Sequence, residues 1–160
     1  MREELLALIE KNGRMGLDEL AACLGVSEVE VANTLEDMQK EGVICGYTAL
    51  VNWDKTSADK VMALIEVKVA PSRGQGFDAV AECIYKYPEV RSVYLISGGY
   101  DLMVILEGKT LREVSAFVSN KLSTMDSVLS TATHFILKKY KDHGTIFDKQ
   151  KEDEREQFTS

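Results

Sequence analysis

The hydrophobic period of this chain changes once, and that change limits the folds open to it. Up to residue 42, apolar residues recur three and four apart: Leu5, Leu6, Leu8 and Ile9, then Leu17, Leu20, Ala21 and Leu24, then Val31, Leu35 and Met38. Such spacing puts each set on one side of an α-helix. From residue 61 the period drops to two. In VMALIEVKVA, Val61, Ala63, Ile65, Val67 and Val69 fall on one face while Glu66 and Lys68 point away, the pattern of a half-buried strand. A chain of 160 residues with this switch is expected to fold as two small units, one helical and one mixed.

The punctuation of the first unit is equally specific. Asn12-Gly13 ends the first helix, and Gly25 closes the second by supplying a left-handed residue. Ser27 with Glu30 three positions on is a capping box that opens the third helix, which Gly42 ends. Three short helices with a tight turn at Gly25-Val26 predict a helix-turn-helix, with a generic three-helix bundle as the alternative. GYTALV, residues 46–51, predicts a strand, which makes the unit winged-helix-like, and the polar stretch NWDKTSADK predicts a linker.

The second unit continues with a helix bearing Phe77, Val80, Ala81, Ile84 and Tyr87, stopped at Tyr87-Pro88. Strands follow at VRSVYLIS and DLMVILEG, around the loop Ser97-Gly98-Gly99-Tyr100-Asp101. Thr110 and Glu113 cap a further helix with the stripe Leu111, Val114, Val118 and Leu122, and SVLSTATHFILKKY reads as a last strand. The order β-α-β-β-α-β predicts a ferredoxin-like arrangement, so the fold class is α+β. One sheet face is left open, lined by Met62, Leu64, Tyr94, Ile96 and Ile105, and a second copy covering it predicts a homodimer. The expected division is 1–45 helix-turn-helix, 46–60 strand and linker, 61–141 ferredoxin-like domain, and 142–160 a charged tail, in which FDKQKEDEREQFTS (147–160) reads as a frayed or solvated helix.

Charge sharpens the question of function. Residues 1–50 hold four bases (Arg2, Lys11, Arg14, Lys40) against ten acids, which accounts for six of the seven net negative charges. A duplex-binding domain usually has the opposite sign, because counterion release supplies most of its affinity. The third helix, SEVEVANTLEDM, contains Glu28, Glu30, Glu36 and Asp37 and no Lys or Arg. Other functions find little support. No apolar run approaches the roughly 20 residues of a membrane span, and the acidic start is no secretory signal, so a cytoplasmic protein is expected. Cys23, Cys45 and Cys83 form no CxxC pair and read as reduced thiols, and His134 and His143 lack clustered ligands, so no metal is expected. The glycines of Ser72-Arg73-Gly74-Gln75-Gly76 are not followed by Lys-Ser/Thr, no nucleophile setting is visible, and an enzyme is not expected.

NGRMGLDELAACLGVS, EGVICGYTALVN, PEVRSVYLISGGYDLMV and TATHFILKK together resemble the Lrp/AsnC transcription regulators over roughly residues 2 to 141. The resemblance implies a cytoplasmic amino-acid-sensing regulator that dimerises through its C-terminal domain and often assembles into octamers. It places DNA contacts on Ser27, Glu28, Asn33, Thr34 and Asp37. Family members usually carry bases at the positions of Asn33 and Thr34, and often at Glu36, Asp37 and Cys45, so here the scaffold is kept while the contact chemistry departs. On the residues alone, Gly98-Gly99-Tyr100-Asp101 is either a tight turn or a nest of open N–H groups able to hold a carboxylate. The resemblance favours an effector site at Gly98, Gly99, Tyr100 and Asp101, extended to Leu102 and to Thr131 and Thr133. No cofactor is expected beyond a small amino-acid effector. The alternative reading is a sensor impaired in DNA binding that joins a basic paralogue as a hetero-oligomer.

Overall fold

The computed structural model describes residues 1–70 and 76–147, which divide between Val51 and Asn52 into two compact units. The phosphate-loop reading of residues 72–76 falls mostly outside the described residues, as does the tail from 148 on.

Unit one is built from α1 (Arg2–Lys11), α2 (Leu17–Leu24) and α3 (Glu28–Lys40). Their stripes meet in one core: Leu5, Leu20, Val31 and Met38 are almost fully buried, with Leu24 and Leu35 packed against them. The turns follow from the glycines. Gly25 has φ +67° and Gly42 φ +73°, where a Cβ would crowd the backbone. Beyond each, an amide reaches back to close the helix end: Val26 N–H to Ala21 O at 3.2 Å and Val43 N–H to Met38 O at 2.9 Å. Ser27 Oγ accepts from the Glu30 amide at 3.2 Å, which is the Ser27 half of the expected capping box.

The strand expected at 46–51 does not form; these residues carry no regular structure. Apolar alternation supplies a face, but a strand also needs a neighbouring ladder, and no other strand of unit one exists to provide it.

In unit two, β1 (Val61–Val69), β2 (Val90–Leu95), β3 (Leu102–Gly108) and β4 (Val128–Ile136) form an antiparallel sheet of order β2-β3-β1-β4. With α4 (Phe77–Tyr85) and α5 (Leu111–Phe117) between the strands, this is the ferredoxin-like order. Cross-strand partners share a face, so the register separates the two sides. Ala63 lies between Leu106 and Phe135, Ile65 between Val104 and Thr133, and Val67 between Leu102 and Thr131. This side packs on Val80, Ile84, Val114, Phe117 and Leu122, with Tyr87 meeting the Phe117 ring edge-on at 5.2 Å. The other side carries Met62, Leu64 and Glu66, flanked by Ile105 and Met103 and by His134 and Ile136, with Tyr94 opposite Met103.

Two details differ from expectation. Leu111 is 55% exposed rather than part of the core stripe, because it stands in the first turn of α5, clear of the sheet. An unexpected small hairpin follows β4, made by β5 (Lys141–Asp142) and β6 (Thr145–Ile146), while the helix expected over 147–160 lies almost wholly outside the described residues. Its turn is His143-Gly144, both at positive φ (44° and 77°), the two-residue turn that matches strand twist. The amide of Asn52 donates to Phe147 O at 3.5 Å beside it.

Candidate functional site

α3 separates scaffold from surface cleanly. Val31 and Met38 point into the core, while Ser27, Glu28, Asn33, Glu36 and Asp37 are exposed and Thr34 half-buried. Its hydroxyls are partly committed. Thr34 Oγ1 donates to Glu30 O at 2.7 Å, so its proton is committed within the helix. Ser27 Oγ only accepts in the cap, so its proton stays available to a phosphate. Val29, one turn before Asn33, is 69% exposed, an apolar contact surface next to an amide. The sequence reading passed over it, although a valine between two glutamates at the start of the helix is a visible signal.

The bases of unit one are fewer in effect than in number. Arg2 is ion-paired with Glu41, and this hydrogen bond raises the guanidinium pKa above its ordinary value, with nearby Asp37 adding to the effect. Lys40 pairs with Glu36 one turn earlier, which raises the lysine and lowers the carboxyl. Of the four bases of unit one, only Lys11 and Arg14 are in no ion pair. Glu41 and Glu36 therefore cancel Arg2 and Lys40, and Asp37 adds a further negative charge beside them.

At the other candidate site, Gly98 and Gly99 do not adopt positive φ. A Cβ on Gly98 would make only an ordinary 3.6 Å contact with Ile96, and one on Gly99 would meet open space. Neither glycine is demanded by the turn or by packing. Asp101 is held firmly: its N–H donates to Val67 O at 3.1 Å, its carbonyl accepts from Ile96 N–H at 2.8 Å, and Oδ2 accepts from Val69 N–H at 2.8 Å. Oδ1 is left over. Leu102 is 1% exposed in the sheet core, so only its backbone can serve a ligand. Thr131 and Thr133 lie on the helix-covered face of β4; Thr131 Oγ1 sits 3.3 Å from Ser123 Oγ. The loop and Thr131 occupy the same end of the sheet, with β1 between them.

Comparison with known proteins fixes the class. The Lrp/AsnC ligand binding domain matches residues 62–146. The uncharacterized HTH-type transcriptional regulator YugG of Bacillus subtilis is 48% identical over 153 residues, covering 95% of this chain and 92% of its own. The chain belongs to the Lrp/AsnC family of transcriptional regulators. Two solved structures share the fold: a Neisseria meningitidis transcriptional regulator in complex with L-Met (24% identity, TM-score 0.68, 88% of this chain and 90% of that one), and AsnC of E. coli (22%, 0.65, 86% and 91%). Among the described residues, no helix is long and apolar enough to cross a membrane, and no group of three or more His, Cys, Asp or Glu is placed to hold a metal ion.

Proposed function

We propose that this chain is an amino-acid-responsive transcriptional regulator. Residues 1–45 act as a helix-turn-helix that contacts DNA through α3, with Ser27 on a phosphate and Asn33 on a base edge. Asn33 can bond adenine bidentately, while Val29 and the Thr34 methyl suit thymine. Glu28 and Asp37 accept only from cytosine and repel phosphate, so Lys11 and Arg14 supply the unspecific attraction. Residues 61–141 bind the effector and join copies through the open sheet face around Leu64, Tyr94 and Ile105, in a dimer that builds toward an octamer.

The observation that carries the effector reading is the pair of glycines that the fold does not require. A Gly-Gly turn without positive φ and without a packing demand presents no Cβ to screen its backbone from an approaching carboxylate. Asp101 Oδ1 supplies an acceptor for an α-ammonium next to it. The related Neisseria meningitidis protein is a complex with L-Met, which supports an amino acid as the ligand class.

The test separates ligand from scaffold. Gly99→Ala is expected to change stability by less than about 0.5 kcal/mol, because its Cβ meets nothing, yet to remove the thermal shift given by amino acids. Asp101→Asn keeps an acceptor for Val69 N–H and should remove the shift too. Asp101→Ala is the poorer choice: it orphans that N–H, at about 1–3 kcal/mol. A full shift in both Gly99→Ala and Asp101→Asn would move the effector elsewhere.

One observation favours the second reading, a sensor that partners a basic paralogue. With Arg2 and Lys40 neutralised, α3 presents no free cation, and a basic helix of another chain would complement it.

A further inference from the structure

A cavity of about 310 Å³ opens at the opposite end of the sheet from the Gly98-Gly99 loop, between the end of β3 and α5. Leu106, Val114 and Phe117 form its apolar wall, and Glu89, Glu107 and Glu113 stand around it with Lys121. The volume lies at the lower end of the range for small-molecule sites. Next to it α5 widens into a π turn, Val118–Leu122, where Ser123 N–H reaches back five residues to Val118 O at 2.8 Å. Such turns are rare and frequently mark functional sites.

The polar groups are unevenly satisfied. Glu107 is served by Lys60 at 2.6 Å and by Arg91 at 3.8 Å. Glu113 Oε2 accepts from the uncharged Lys109 amide at 2.7 Å. The Glu89 carboxyl is held below its ordinary pKa by its own backbone N–H and by Lys121, whose Nζ reaches Oε1 at 3.0 Å, while Oε2 is sealed from solvent without a well-aligned hydrogen bond. A carboxylate oxygen with so poor a hydrogen bond has room for a better donor. The Glu89 side chain is still 39% exposed, and the last torsion of a glutamate is broad. A small rotation therefore offers that oxygen to an occupant.

We propose that this cavity binds a small primary amine with an apolar body, its ammonium on Glu89 and its body against Val114 and Phe117. The charge of the site selects against the corresponding amino acid. Three carboxylates line it against one lysine, and Lys121 is already held by Glu89 and lies over the rings of Tyr87 and Phe117 at 4.9 and 5.0 Å. An α-carboxylate would meet Glu107 and Glu113 with like charge. An amine brings only the donor that is missing. Because Glu107 also holds Lys60, whose Nζ stands 3.9 Å over the Trp53 ring, an occupant borders the residues that anchor the linker.

The experiment is an NMR titration of the ¹⁵N-labelled full chain with phenethylamine, with phenylalanine and N-acetylphenethylamine as controls. Phenethylamine is expected to shift the amides of Gly108, Lys109, Asn120 and Lys121, and the two controls to leave them in place. Glu89→Gln, which keeps the shape and loses the charge, should weaken binding by about tenfold or more. Ala116→Leu, at an exposed position of α5 that lines the cavity, should block it without touching any charge. Equal shifts of these amides by phenylalanine, no shift at millimolar amine, or an affinity unchanged by both variants would overturn the proposal.

Discussion

Exchanging Glu36 and Asp37 for lysine is expected to tighten duplex binding by one to two orders of magnitude, on the order of 10- to 100-fold at low salt. The two side chains are exposed on the solvent side of α3, so the exchange leaves Val31 and Met38 undisturbed. Each replacement turns a repelled carboxylate into a cation able to meet a phosphate. Removing Glu36 also releases Lys40 from its ion pair, and removing Asp37 takes away an acid near Arg2. The salt dependence should steepen by about two units per subunit, since each added phosphate contact contributes about 0.9. The measurement is the slope of log affinity against log salt for wild type and double variant. An unchanged slope would mean that this face of α3 does not approach the duplex.

Ile65→Ala is expected to cost unit two about 2–5 kcal/mol, a large part of the stability of a domain this size. Ile65 is 0% exposed in the central strand, between Val104 and Thr133 and under the two helices, so neighbouring atoms cannot close over the lost volume. Leu111→Ala is the matched control. The same number of atoms leaves a side chain that is 55% exposed, and the change should stay within about 0.5 kcal/mol. Urea melts followed by far-UV circular dichroism read both. Equal losses at the two positions would contradict the burial described for the sheet.

Both periods of the sequence translate directly into structure. Leu5, Leu20, Val31 and Met38 meet as their helical spacing predicts, and Ala63, Ile65 and Val67 turn inward as strict alternation requires. The failures have physical reasons. Residues 46–51 alternate well enough, but a ladder partner is not a property of the segment itself. Leu111 fits its stripe, yet a residue in the first turn of a helix can overhang the sheet edge. The hairpin at Lys141–Ile146 was legible and missed: Asp-His-Gly-Thr puts glycine after a residue that tolerates positive φ, the role Asn plays in Asn-Gly turns.

The candidate sites were legible in position more than in chemistry. Ser27 caps α3 as its spacing to Glu30 implies, and Asn33 faces out. That Arg2 is tied to Glu41, 39 residues away, is tertiary information, and together with the Lys40–Glu36 pair it halves the free bases of unit one. The glycines Gly98 and Gly99 are visible in the sequence, but only their backbone angles show that the turn does not need them. Leu102 illustrates the converse: it borders the loop in sequence while its side chain belongs to the core.

In the function proposed, an acidic α3 still serves a DNA-binding regulator. Fluorescence anisotropy of the full chain with a labelled duplex from upstream of its own gene, at low salt, tests it most directly. Saturable binding with a Kd below about 10 µM, weakening as salt rises, is the expected result. No saturation by that concentration would contradict it for the homo-oligomer and leave the partner of a basic paralogue as the function.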